Sequence, residues 1–386
     1  MSAPTLTLFL DRLLPMKSPL YDWHAKQGAK LADFGGWDMP IEYPAGVSGL
    51  SGGTLAEHAA VRERVGIFDV SHLGKISVIG AGAKNFVNEM VTNDLAKISA
   101  GSAQYNLFCN DSGGVIDDLI VYEFSEEDLF LIPNAANCAH VFQDLKEAAP
   151  GGVEVKNIHQ NFAVLAIQGP LTQEVMNNLG LKLDLEYMEF TKTQIPGHEN
   201  LGDVIICRTG YTGEFGYELL PSWNCAQDLW EILVEAISKV DGRVCGLGAR
   251  DTLRTEMGYP LHGHELSIEI SPIQASANWA VALSKAKFRG KSSLERQKAE
   301  GAKTVLRALK SLDRGIPRGG MAVKSESGEV IGELTSGTFS PTLRVGIGLA
   351  LLKPEFKVGT KVLIDVRGRS SEAEIVKLPF VESKVK

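Results

Sequence analysis

Two carboxylates stand side by side inside an apolar run, Val115-Ile116-Asp117-Asp118-Leu119-Ile120-Val121-Tyr122. Successive side chains of an extended chain point to opposite faces. Asp118 therefore shares a face with Ile116, Ile120 and Tyr122, and Asp117 shares the other with Val115, Leu119 and Val121. Neither face reads as plain solvent. A carboxylate among apolar neighbours loses its hydration unless hydrogen bonds replace it. Its pKa is then liable to shift, and it becomes a candidate for acid–base work or for anchoring a ligand. An Asp that caps a turn or an edge in water is the other reading of the same pattern.

A second stretch, Arg208-Thr209-Gly210-Tyr211-Thr212-Gly213-Glu214-Phe215-Gly216-Tyr217-Glu218, packs glycines and tyrosines into a loop that runs into a strand. Glycines permit close backbone approach, and aromatics beside such a loop suit a flat heterocycle. Glu218 at the strand start could take a bidentate bond from an amino-pyrimidine edge. A glycine-rich turn with packing tyrosines is the alternative. In Gly246-Leu247-Gly248-Ala249-Arg250-Asp251-Thr252-Leu253-Arg254 a glycine turn feeds a helix on which Arg250 and Arg254 lie one turn apart. They could clamp a carboxylate, or Arg254 could pair with Asp251 at the surface. The single Gly-x-Gly is weak evidence for a dinucleotide. His262-Gly263-His264-Glu265 lacks a second cluster to complete a metal site, and His72 follows Ser71 without the glycine elbow of a hydrolase nucleophile.

The elements that must position these groups are interleaved strands and helices, which makes the fold class α+β. Leu107 onward reads as a strand, Asn110-Asp111-Ser112-Gly113-Gly114 as a turn, and Val115 to Phe124 as the returning strand. A helix is expected over 54–64, with Thr54 as N-cap and Glu57 completing a capping box, after a flexible loop from Ser48 to Gly53. Residues 225–239 form an amphipathic helix with Trp230, Ile232, Leu233, Ala236 and Ile237 on one side, closed by the turn Asp241-Gly242. A further helix starts near Gly248. Beyond 303 short β-type runs alternate with turns at Ser327-Gly328, Ser336-Gly337 and Val358-Gly359, the pattern of a separate small β domain.

At 386 residues the chain has room for two or three domains. No apolar run reaches the roughly 18 residues of a membrane span, since Asp11 and Arg12 interrupt the leucine-rich start. Met1 to Lys17 reads as a ragged extension without the features of a secretory signal. The expected compartment is the cytoplasm, or the mitochondrial matrix if that extension is a transit peptide. Five cysteines with no C-x-x-C pair argue against a zinc site and a disulfide framework, and fit a reducing compartment. A net charge of −8 without a basic stripe argues against a nucleic-acid partner, while leaving anionic small molecules open to individual arginines.

Eight ordered blocks resemble the T-protein (aminomethyltransferase) family of the glycine cleavage system, almost continuously from Ser18 to about Val381. They include Asp33-Phe34-Gly35-Gly36-Trp37-Asp38-Met39-Pro40, Phe68-Asp69-Val70-Ser71-His72, Gly113-Gly114-Val115-Ile116-Asp117-Asp118-Leu119, Thr209-Gly210-Tyr211-Thr212-Gly213-Glu214 and Thr335-Ser336-Gly337-x-Phe339-Ser340-Pro341-Thr342-Leu343. The resemblance implies a three-domain cloverleaf around a central folate channel. Its first domain would be discontinuous over 18–53 and 160–275, its second would span 54–159, and a C-terminal β barrel would span 276–386. It implies Asp118 as the catalytic carboxylate beside the folate N5/N10 edge, and Glu218 on the pterin. Tyr105, Tyr122, Ile132, Asn134, Tyr211 and Tyr259 would line the pocket, and Arg250 would face the glutamyl carboxylates. It further implies tetrahydrofolate as co-substrate, no metal, and a transient partner, the lipoylated H-protein.

Three departures stand out against the family pattern: a longer loop from Pro44 to Thr54, Leu73-Gly74-Lys75 in place of Met-Gly-acidic, and His262 in place of a common tyrosine. Related scaffolds offer competing functions. A dimethylsulfoniopropionate demethylase would share the folate side, whereas sarcosine- and dimethylglycine-oxidising enzymes carry a flavin domain that is absent here. An iron–sulfur maintenance protein would carry a Lys-Gly-Cys signature, and Lys287-Phe288-Arg289-Gly290-Lys291-Ser292 has no cysteine.

Overall fold

The turn at 110–114 shows how local chemistry sets the first sheet. Asn110 Oδ1 accepts the Gly114 amide at 2.9 Å and the Ser112 hydroxyl at 2.7 Å, which closes the turn through a side chain. Gly114 cannot be replaced cheaply, because a Cβ there would lie 1.8 Å from the Ile268 carbonyl oxygen. The strands Ser102–Cys109 and Val115–Ser125 that flank it pair antiparallel, with Leu107 opposite Asp118. The five-stranded sheet continues through Asp128–Ile132, Ile76–Gly80 and Val153–Asn157.

The computed structural model describes residues 15–44 and 52–386, so most of the loop expected from Ser48 to Gly53 lies outside the described residues. Within the expected N-terminal extension, Met16–Lys17 pairs with Trp37 and Asp38. A second open sheet runs in the order Phe190–Thr193, Val204–Cys207, Gly216–Leu220, Leu165–Gln168, Gly66–Asp69, Arg243–Val244. Against it packs the helix Ala226–Ser238, which buries Leu229, Trp230, Leu233, Ala236 and Ile237 and leaves Ile232 half-buried. Those positions recur at helical spacing, and each large side chain removed from water contributes about 1.5–3 kcal/mol. Asp241 takes a positive φ of 54° in the turn that follows.

The third body is a closed barrel of six strands, ordered Val305–Ser311, Val345–Leu352, Val330–Ser340, Ala322–Lys324, Lys361–Val366, Arg369–Val376. The β domain expected beyond 303 is present, but Ser336-Gly337 is no turn. It lies inside the strand Val330–Ser340 beside a bulge, where Ser336 is held by the buried Arg254 guanidinium at 2.8 Å. Two segments also pack outside their expected ranges. Gly66–Asp69, read within 54–159, pairs with Leu165–Gln168 in the second sheet, because Val65 and Ile67 are buried in that sheet's core. Residues 276–304, read with the barrel, instead dock on the Asp118 hairpin, where Ala277, Ala280, Phe288 and Leu294 pack against Leu107, Cys109 and Val115.

The capping box expected at the helix Gly53–Glu63 is absent. Gly52 occupies the cap position without a side-chain bond, and Thr54 Oγ1 donates instead to Glu42 at 3.0 Å. Glu57 has better partners, accepting the Tyr43 amide at 2.7 Å and the Gly246 amide at 2.9 Å, so it joins a strand end to the start of the helix Leu247–Met257.

Beneath the hairpin lies a buried polar seam. Lys75 is wholly buried, donates to the Ser71 carbonyl at 2.7 Å and sits 5.7 Å from the Trp223 ring. Burial pulls its pKa from 10.5 down to about 7. The unfolded chain therefore holds an extra proton between those pH values, and stability rises with pH across that window. His159 also donates to the Ser71 carbonyl, so Lys75→Met leaves that oxygen paired. We predict that Lys75→Met is about 1–3 kcal/mol more stable at pH 7, and that its advantage shrinks toward pH 10; thermal melts at both pH values check this. At the acid end, burial lowers His72 to about 3 and His159 to about 4. Asp69, against the upward push of its burial, is held to about 2 by His24, Ser18 and Ser71. In all three cases the unfolded chain takes up protons first, whereas burial raises Glu57 to about 7 and opposes them at higher pH, so urea midpoints are expected to fall steeply below about pH 4.

Candidate active site

The two open sheets face each other across a cavity of about 180 Å³. One wall is the Asp118 hairpin with the strand end at Ile132 and Asn134; the opposite wall is the glycine loop with Glu218. All nine residues expected to bind or catalyse line this cavity: Tyr105, Asp118, Tyr122, Ile132, Asn134, Tyr211, Glu218, Arg250 and Tyr259.

Asp118 is half-buried on the cavity face, where Tyr105 donates its hydroxyl to Oδ2 at 3.0 Å and Asn134 donates Nδ2 to Oδ1 at 3.0 Å. Asp117, on the opposite face of the strand, is fully buried. It accepts the Asn134 backbone amide at 2.9 Å, the Asn134 side-chain amide at 2.9 Å and the Asn137 side-chain amide at 2.7 Å. Burial raises the pKa of both carboxyls; Asp117 is raised further by the neighbouring Asp118 charge. Like charges this close cannot both ionise freely, so the pair titrates as a unit.

Across the cavity Thr209 donates its hydroxyl to Glu218 Oε2 at 2.5 Å, and Oε1 has no described hydrogen-bond partner. Burial raises the Glu218 pKa, against the pull of Thr209 and Arg250. Gly210 lets the loop lie against the sheet, since a Cβ there would sit 2.1 Å from Gln168 Oε1. The Arg250 guanidinium stacks 4.3 Å above the Tyr211 ring, and the Tyr211 hydroxyl donates to the Pro260 carbonyl. The two-arginine clamp does not form. Arg254 is committed to Glu265 at 2.9 Å, to Asp251 at 2.8 Å and to Ser336, which leaves Arg250 alone without a carboxylate partner among the described residues.

The histidines diverge. His262 donates to the Val115 carbonyl at 3.0 Å and lines the cavity, while His264 donates to the Thr335 carbonyl at 2.9 Å. Among the described residues no group of His, Cys, Asp and Glu side chains is placed to hold a metal ion. Sequence reasoning missed Thr209, whose place beside Glu218 depends on the loop's path, and Trp279, which is 69% exposed at the cavity and stacks 5.1 Å from Tyr105. A tryptophan in a turn-rich segment carries no periodic signal. The far C-terminus was also missed as a neighbour. Arg208 donates to the Val385 carbonyl at 2.5 Å and the Lys384 amide donates to the Gly213 carbonyl at 2.7 Å, so the tail lies along the glycine loop.

Known proteins match this chain over nearly all its length. Residues 20–285 match the family described as GCVT N-terminal domain, and residues 305–382 match the Glycine cleavage T-protein C-terminal barrel domain. The chain is 53% identical to an aminomethyltransferase of Parafrankia sp. over 95% of its own length and 98% of that protein. It is 50% identical to the aminomethyltransferase of Mycobacterium tuberculosis, over 95% and 97% of the two chains. The crystal structure of the glycine cleavage system aminomethyltransferase T from Bartonella henselae superposes with a TM-score of 0.87 at 33% identity, covering 95% of this chain and 98% of that one. With both family domains matched in order and the same fold in a solved relative, the chain belongs to the glycine cleavage T-protein family.

Proposed function

We propose that the cavity binds tetrahydrofolate between the Asp118 hairpin and the glycine loop, and that a lipoylated H-protein delivers the aminomethyl group to it. The observation that carries this reading is the opposition of two differently prepared carboxylates, Asp118 on one wall and Glu218 on the other, within a chamber of tyrosines and apolar side chains. A flat heterocycle with polar edges fits such a site. Glu218 Oε1, with no hydrogen-bond partner among the described residues, suits the N–H edge of a pterin, and Arg250, with no carboxylate in ion-pair contact among them, suits the glutamyl end.

Aminomethyl transfer to tetrahydrofolate breaks the donor's C–S and C–N bonds and forms carbon bonds to N5 and N10. The two folate protons leave on the released ammonia and the lipoyl thiol, so the products are ammonia, the reduced carrier and 5,10-methylenetetrahydrofolate. Asp118 contributes by accepting a hydrogen bond from the attacking nitrogen and holding it toward the donor carbon, with Tyr105 and Asn134 restricting its own rotation. Burial raises its pKa, which makes it a stronger base toward that proton than an exposed aspartate. No described helix is long and apolar enough to cross a membrane, and a cytoplasmic setting matches the free cysteines.

Two variants test the reading. Asp118→Asn is expected to lower turnover by about 100-fold or more while folate affinity changes little; near-normal turnover would remove Asp118 from the chemistry. Glu218→Gln is expected to weaken folate binding by about tenfold or more, measured by fluorescence titration with tetrahydrofolate. An unchanged dissociation constant would place the pterin elsewhere.

A further inference from the structure

The orientation of Asn134 is determined by what surrounds its amide. Nδ2 lies 2.9 Å from Asp117 Oδ1, 2.9 Å from the Asp118 carbonyl oxygen and 3.0 Å from Asp118 Oδ1. Turning the amide over would set a carbonyl oxygen against those three oxygens. The NH2 group is therefore consumed inside the wall. The remaining polar atom, Oδ1, has no described partner and belongs to a side chain that lines the cavity. Asp117 supplies one of these three contacts and also anchors the residue itself, because it takes the Asn134 backbone amide and is fixed in turn by Asn137.

We propose that Asp117 is a positioning residue that makes the Asp118–Asn134 wall an acceptor-only surface, and that this surface recognises the nitrogen-bound hydrogens of the aminomethyl donor. The inference rests on the function proposed above and assigns the residues that read the amine of its donor. The donor must carry a primary amine or ammonium, so a sulfonium with the same one-carbon cargo but no N–H finds nothing to donate to Asn134. Tyr105 spends its hydroxyl proton on Asp118 and adds no donor to the wall. The same surface receives ammonia when the reaction runs backward, as the carbon–nitrogen bond of the donor is remade.

The test uses the reverse reaction, with 5,10-methylenetetrahydrofolate, ammonium and the reduced lipoyl H-protein as substrates. Asp117→Asn places an NH2 against converging N–H donors in either orientation, which removes one of the three contacts that orient the Asn134 amide and sets a repelling donor beside it. Asn134→Ala removes the acceptor from the cavity wall and serves if Asp117→Asn fails to fold. Each variant is expected to raise KM for ammonium by about tenfold or more, a change several-fold larger than its effect on the dissociation constant for tetrahydrofolate. An unchanged ammonium KM, or a loss of folate affinity as large as the change in ammonium KM, overturns the inference. A wild-type protein that releases no ammonia in the forward assay sinks the functional reading itself, and that assay is run first.

Discussion

Two adjacent carboxylates in one strand cannot be taken out of water unless each face of the strand supplies its own donors. Most of the hairpin domain is arranged around that requirement. The face bearing Asp117 is served by the turn after Asp128–Ile132 and by Asn137 at the start of the helix Cys138–Ala148; the face bearing Asp118 is served by Tyr105 from the paired strand. Gly74 donates to the Pro133 carbonyl at 2.8 Å, and a Cβ there would sit 2.5 Å from Cys138 Sγ, so the loop that precedes Lys75 must press against the same turn. The cavity wall and the charge it carries are thus one structural unit.

The helix Leu247–Met257 links that cavity to the barrel. From one face it offers Arg250 to the chamber; from others it sends Arg254 to Glu265 and Ser336, and Glu256 to His58, Arg62 and Ser340. Burial alone would raise the Glu256 pKa, yet His58, Arg62 and Ser340 hold it at about 2. Such buried pairs recover their desolvation only when every partner is present, which suits them to fixing a geometry more than to adding stability.

The parts legible in the sequence were those governed by period or by local turn chemistry. Alternation placed Asp117 and Asp118 on opposite faces, and the helix Ala226–Ser238 and the barrel strands follow from their spacing. Asp118, Glu218 and Arg250 stand out by local pattern, but their convergence with Tyr105, Ile132 and Asn134 on one chamber came from the family resemblance, because it spans 105–259 and no local pattern carries it. The misreadings share one cause, a distant partner that outcompetes a near one. Glu57 leaves the cap for two backbone amides, Arg254 forms the expected alternative pair with Asp251 but is drawn inward by Glu265, and Ser336 joins a bulged strand where Arg254 reaches it. Asn134 was recognised as a pocket residue, but the direction of its amide depends on two carboxylates and a turn that only three-dimensional pairing brings together.

The path of the C-terminal tail has a practical side. Phe380 donates its amide to the Glu256 carbonyl, Lys384 to Gly213, and the Val385 carbonyl is gripped by Arg208, whose guanidinium lies 3.6 Å from the Phe215 ring. Whatever is joined beyond Lys386, whether a purification tag, a fluorescent fusion or a surface tether, emerges beside the loop that carries Thr209 and Tyr211. An exposed outer turn of the barrel, such as Ser327-Gly328, offers a point of attachment clear of those contacts.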